Sequence, residues 1–195
     1  HPGVIPGYSY GQTNGNRSPL GDVELEQLKQ SVMFNDEDER YLRLAVRILD
    51  DQIYDLLDVW YHHMTSHPFL LQFFFDSSGK PNGQYMVAVR RRFAQWIRDT
   101  CSRPYDRAWL DYQHEIGLRH HRSKKNYTDK VQGAPVVNFR YLVAFIYPFT
   151  ATVKPFLASK GHNEEMVEKM YNAWFKSLTM QVALWSAPYV DPEDY

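Results

Sequence analysis

The chain has 195 residues, 44% of them apolar, enough for one domain with a sizeable core. Its 22 basic and 23 acidic residues leave a net charge of −1, so the basic footprint of a nucleic-acid binder is missing. The single cysteine, Cys101, excludes an intramolecular disulfide and any metal or cofactor attachment through paired cysteines.

Residues 1–20 carry Pro2, Gly3, Pro6, Gly7, Gly11, Gly15 and Pro19, the composition of a non-helical arm. Ile5, Tyr8 and Tyr10 give it apolar anchors, so it is expected to dock. It opens on His1 rather than Met, as trimmed or foreign first residues would, and it has no apolar signal core. Helical patterning starts at Asp22, with acids in the first turn as the helix dipole prefers. Asn35-Asp-Glu-Asp is a helix-start signature, and one long amphipathic run follows to about residue 67. Leu42, Leu44, Val46, Ile48, Leu49, Ile53, Leu56, Leu57 and Trp60 carry its buried face.

Pro68 and the turn-rich segment 76–83 interrupt the helices. Residues 84–100 are periodic through Tyr85, Val89, Phe93, Trp96 and Ile97, and a further helix is expected from about 105 to 123. A polar loop leads to Pro135. Residues 139–158 read as one helix kinked at Pro148 and Pro155, each of which lacks an amide donor. Residues 164–186 have the cleanest period, through Val167, Met170, Tyr171, Trp174, Phe175, Leu178, Val182 and Trp185. No strand alternation occurs, so the fold class is all-α. The most apolar run, 141–150, is shorter than a membrane span and holds Pro148. A cytoplasmic protein with no membrane partner is the expectation.

No Gly-x-Ser-x-Gly elbow, phosphate-cradling loop or His-Glu-x-x-His motif is present. His114 and His121 share a helical face without an evident third metal ligand. Fourteen Tyr, eleven Phe and five Trp imply either a thick aromatic core or a flat ligand packed among rings. The histidine pair at 120–121 bears on that choice. Tyr112, Ile116 and His120 share one apolar stripe, while His121 continues the mixed stripe of Leu110, His114 and Leu118. Their directions differ by about 100°, so only one can face a buried group. An imidazole on an apolar stripe serves either as the axial ligand of an iron porphyrin or as a core histidine satisfied by a carbonyl. Trp60, Tyr61, Phe93 and Phe145 are rings that could face such a plate. Arg92, Arg119 and Arg122 are cations for its propionates, and Gly117 would let it approach the helix backbone.

Several segments together resemble the protoglobins, single-domain relatives of the globin-coupled sensors. They are Val-Ile-Pro-Gly-Tyr-Ser-Tyr-Gly (4–11), Trp-Tyr (60–61), Ser-His-Pro (66–68), Arg-Arg-Phe (91–93), Trp-Leu-Asp-Tyr-Gln (109–113), Gly-Leu-Arg-His-His-Arg-Ser-Lys-Lys (117–125), Tyr-Leu-Val-Ala-Phe-Ile-Tyr-Pro (141–148) and Lys-Pro-Phe-Leu-Ala (154–158). The resemblance implies a globin-like three-over-three helical sandwich in residues 21–195, with an extra N-terminal helix. It implies one haem b with His120 as the iron ligand and residues 1–20 over the haem edge. Tyr61 would be the distal donor to a diatomic gas, with Trp60 beside it. Phe74, Met86, Val89, Phe93, Leu142, Phe145 and Phe149 would border the plate and the distal space, with Tyr112, Ile116, Gly117, Arg92 and Arg119 on its proximal and propionate sides.

By that resemblance the chain binds O2, CO or NO through apolar tunnels and pairs as a homodimer through its last two helices. Two other readings stand beside it: a haem enzyme acting on peroxide, nitrite or NO, or by carbene transfer, and a haem-free helical signalling module. The chain departs from the family pattern at His62 and His63, at His114 where a tyrosine is expected, and at the bulky Phe149. His63 is a candidate plug of a tunnel wall, Phe149 would narrow the distal cavity, and His114 could alter the hydrogen bonding around His120.

Overall fold

The computed structural model describes residues 3–12 and 16–195. His1, Pro2 and Gly15, which the reading of the arm included, lie outside the described residues. Ten α-helices follow among the described residues: α1 (Asp22–Ser31), α2 (Asp36–Leu49), α3 (Ile53–Thr65), α4 (Pro68–Leu71), α5 (Gly83–Ser102), α6 (Arg107–His120), α7 (Phe139–Ala144), α8 (Ile146–Ala151), α9 (Val153–Ala158) and α10 (Glu164–Trp185). No strand is formed among them; one isolated bridge joins Phe75 to Pro81. The all-α expectation therefore holds.

Helix starts follow the capping chemistry of the sequence. Asn35 Oδ1 accepts from the amides of Glu37 and Asp38, and Asp38 Oδ2 accepts in return from the Asn35 amide at 2.9 Å. Asp106 and Asn163 cap α6 and α10 in the same way, through the amides of Trp109 and Met166. After α1 the chain reverses through Met33, held at φ 60°, and the Phe34 amide reaches back to the Lys29 carbonyl. Phe34 is then buried against Tyr105, with ring centroids 5.2 Å apart, which offsets the strain of a left-handed methionine.

The single run expected up to residue 67 is two helices. Between them Asp50–Gln52 form one tighter 3-10 turn. These three consecutive polar residues find partners outside the helix axis: Asp50 with Arg98, Asp51 with Lys160, and Gln52 Nε2 with the Ile48 and Phe156 carbonyls. The stretch Phe139–Ala158 is likewise segmented, at Phe145 and Thr152. Each break lies three residues before a proline, where the missing Pro148 and Pro155 amides leave the carbonyls of Ala144 and Ala151 without their helical donor. By length and composition this stretch is apolar enough to cross a membrane, with a mean hydropathy of 1.3.

Helix α10 is the central rod, packing against α2, α6, α8 and α9. Its buried side includes Met170, Trp174, Leu178, Val182 and Trp185, but Phe175, read as part of that face, is 44% exposed. α2 packs on α5 and α9, and α3 on α4 and α5. This arrangement encloses a tryptophan cluster, with Trp60, Trp96 and Trp174 within about 6 Å of one another. Indole N–H groups are satisfied by Thr152, Gln181 and the Phe149 carbonyl, respectively.

Candidate functional site

Beside the tryptophan cluster lies an apolar cavity of about 200 Å³. α5 supplies Val89, Arg92, Phe93 and Trp96, spaced three and four residues apart so that one face turns inward. Tyr112, Ile116, Arg119 and His120 come from the same stripe of α6. Leu142, Phe145 and Phe149 form a further wall, Phe74 another, and α10 closes the space with Leu178, Val182 and Trp185. The expectation for these positions thus converges on one cavity.

His120 is the last residue of α6, and its ring faces this space. Its Nδ1 lies 2.8 Å from the Ile116 carbonyl. A carbonyl can only accept, so Nδ1 carries the proton and Nε2 keeps its lone pair. Burial lowers the imidazole pKa, which favours the neutral form that a metal needs. Trp185 stacks on the ring at 5.8 Å and 15°, and is itself fixed by an indole hydrogen bond to Gln113 at 2.9 Å. His121 has left the helix: its ring packs edge-on to Tyr189, and Nδ1 meets the Ser123 hydroxyl.

The cavity edge is charged. Arg92 makes a bidentate pair with Asp129 and donates to the Pro6 carbonyl. Arg119 pairs with Glu115 and donates to the Gly7 carbonyl and the Ser9 hydroxyl. Residues 6–9 are thereby pinned between α5 and α6. Gly7 sits at φ +79°, and an added Cβ would stand 2.8 Å from both the Arg92 guanidinium and the Thr128 methyl. Arg122 is exposed and does not line the cavity.

Residues 22–195 match the Protoglobin family model. The chain belongs to the protoglobin family. No curated protein matches it. Protoglobins are globin-type haem proteins that bind or sense gases, so a haem cofactor and a gas ligand come with membership. The residues present fit that cofactor. The protoglobin cavity is apolar, an imidazole lone pair points into it, and two arginines stand at its rim. Among the described residues no three His, Cys, Asp or Glu side chains cluster to hold a bare metal ion.

Four expected contacts of this protoglobin stand elsewhere. Trp60 lies one layer behind the cavity, stacked on Phe149 at 4.4 Å. Tyr61 is also behind it, beside Phe74 and Phe93, and its hydroxyl donates to the Met86 carbonyl at 3.2 Å. Met86 meets Tyr61 through that carbonyl and is not a lining residue. Gly117 faces away from the cavity: a Cβ there would come within 3.0 Å of the Trp185 carbonyl oxygen and 3.1 Å of its Cα. Gly117 thus lets α10 approach α6, and the expected plate-to-helix approach is corrected to a helix-to-helix one.

A test of this correction is Gly117→Ala. Higher helix propensity would stabilise by about 1 kcal/mol, but the clash is with rigid backbone, and overpacking costs about 1–3 kcal/mol. A net loss of about 1 kcal/mol is expected in chemical denaturation, because the second effect exceeds the first. Unchanged stability would remove the packing role.

The departures from the family pattern are also placed. His62 is exposed, whereas His63 meets His67 at 5.2 Å and the edge of Phe145 at 6.4 Å. His114 is half-buried with Nδ1 unpartnered, and the Ile116 carbonyl that holds His120 receives no bond from it. Lys125 lines the cavity and was missed in the sequence, where a lysine within a charged run reads as solvated. It is 3% exposed, and Nζ donates to the Phe73 and Ala134 carbonyls at 3.0 and 2.8 Å.

Proposed function

We propose that this protoglobin holds haem b through His120 Nε2 and binds diatomic gases on the opposite side of the ring. The observation that supports this is the His120–Ile116 hydrogen bond, which fixes the tautomer and aims a free lone pair into an apolar cavity. The iron supplies an open coordination position where O2, CO or NO binds. The chain's own part is to orient one imidazole, exclude water and hold the ring's acidic edge. Arg92 and Arg119 already carry Asp129 and Glu115, so propionates would share these guanidiniums with the carboxylates. Residues 6–9, tied to the same two arginines, would cover that edge.

Tyr61 is the proposed distal donor. Serving a gas ligand requires its hydroxyl to leave the Met86 carbonyl, a rotation that one neutral hydrogen bond of about 1 kcal/mol opposes. Phe149, held between Trp60 and Phe145, narrows the distal side. Apolar passages between the helices would admit the gas. The exposed apolar side chains Val143, Tyr147 and Phe175 on α7, α8 and α10 support pairing of two copies through the last helices. A three-over-three sandwich and a cytoplasmic location complete the proposal.

Absorbance spectra of the purified protein in ferric, ferrous and CO-bound forms test it. A Soret band that shifts on reduction and on CO addition is expected; a chain that never takes up haem would end the reading. His63 is not a lining residue and meets the ring of Phe145 edge-on at 6.4 Å, so His63→Ala is expected to leave CO association rates unchanged. Faster association by flash photolysis would make His63 a tunnel plug.

A further inference from the structure

We infer that Tyr8 is a redox-active side chain, a one-electron donor to the haem when a hydroperoxide oxidises it. This rests on the haem-binding reading above and adds to it a radical site in the arm. Tyr8 lines the cavity, and its hydroxyl donates to Asp99 Oδ2 at 2.5 Å, in the range of charge-assisted O–H···O⁻ bonds. Asp99 is 5% exposed, and its other oxygen is held by Gln95 Nε2 at 2.9 Å and Arg103 Nε at 3.2 Å. A buried carboxylate is thus fixed against the phenol proton.

That arrangement matters because a phenol becomes strongly acidic on losing an electron. A tyrosine with a base already on its O–H can give up electron and proton together, leaving a neutral phenoxyl and no buried charge on the ring. As the peroxide O–O bond breaks, the peroxide gains two electrons and its oxygens reach the oxidation level of water. Of these two electrons, one would come from Tyr8 by way of the bound haem and the other from the haem itself. The Tyr8 O–H bond breaks, with the electron passing to the cofactor and the proton to Asp99 Oδ2.

The other aromatic side chains at the cavity lack this base. The indoles of Trp96 and Trp185 donate to the amide oxygens of Gln181 and Gln113, which take up no proton at neutral pH. Tyr85 has the Lys125 ammonium 5.5 Å above its ring, a charge that opposes electron loss. Tyr10 and Tyr112 stand 6.4 and 5.5 Å from Tyr8, but among the described residues neither donates to a carboxylate.

The experiment uses the haem-loaded protein, with the Soret band recorded first and signals compared per haem. Hydrogen peroxide is added and the sample is freeze-quenched for electron paramagnetic resonance. A tyrosyl signal is expected, lost in Tyr8→Phe and strongly reduced in Asp99→Asn, which keeps a hydrogen-bond acceptor but no base. A nitroso spin trap followed by peptide mass spectrometry locates the radical in the unmodified chain, so the result does not depend on the arm staying docked in a variant. A trap adduct on Tyr8 supports the proposal. An undiminished tyrosyl signal in Tyr8→Phe, a tryptophanyl signal, or no radical with the Soret band intact overturns it. Absence of the Soret band itself would instead overturn the haem reading on which it rests.

Discussion

His120→Ala is expected to purify without a Soret band, and added imidazole is expected to restore it. In the parent the ring is positioned three ways: by the end of α6, by the Ile116 carbonyl and by the face of Trp185. Truncation removes the imidazole proposed to hold the iron while leaving the rest of the cavity in place. The Ile116 carbonyl keeps its helical amide partner, so no buried acceptor is orphaned and the fold should survive. The apolar walls would still attract a porphyrin, at roughly 1.5–3 kcal/mol for each side chain it fully buries. They offer no ligand, however, and free imidazole fits the vacated space and supplies one. A variant with the parent's Soret position and intensity would make His120 a core histidine. A variant that merely melts earlier, with no spectral change, would say the same.

Much of this site was legible because one periodicity ran through each helix that builds it. Val89, Arg92, Phe93 and Trp96 had to share a face of α5, and Tyr112, Ile116 and His120 a face of α6, whatever surrounded them. The choice between His120 and His121 was not settled by spacing, because the helix could have ended one residue later. It ends at His120, with the next residue extended at ψ 158°, and so His121 swings out to Tyr189.

What was illegible depends on partners distant in sequence. Gly117 is explained by Trp185, sixty-eight positions away, and no local pattern names that backbone. Tyr61 and Trp60 pack against rings of the cavity wall, Trp60 on Phe93 and Phe149 and Tyr61 on Phe74, and so stand behind the lining side chains. Depth within an aromatic cluster is set by which rings interpose, which periodicity does not encode. The burial of Lys125 arises because the loop after α6 folds back, bringing Ala134 and the Phe73 turn to one ammonium. The break at Asp50–Gln52 was read through as one continuous run, because the partners that hold it, Arg98, Lys160 and Phe156, are distant in sequence.

Alkali is expected to unfold this protein steeply above pH 10. Tyr61, Tyr85 and Tyr105 are 9%, 9% and 6% exposed, and burial holds each phenol in its neutral form, with Tyr85 pushed up to about 12. The unfolded chain releases these protons near pH 10, so above that value it binds fewer protons than the folded one, and stability falls as pH rises. Each such phenol removes about 1.4 kcal/mol per pH unit, and three together roughly 4. Cys101, whose thiol burial raises to about 12, acts in the same direction from nearer pH 9. Lys125 acts the other way. Burial lowers its ammonium to about 8, so between there and about 10.4 the unfolded chain holds the extra proton and stability rises. One lysine offsets one thiol, and above its unfolded pKa it contributes no further slope. The expected profile is a small gain from pH 8, a plateau near 9–10, then a loss that exhausts a typical 5–15 kcal/mol within a few pH units. Phenolate absorbance should appear together with the loss of far-ultraviolet ellipticity. Lys125→Met should remove the early gain without moving the steep limb. Phenols that ionise well before the helices melt would show that these rings are less sealed than their packing implies.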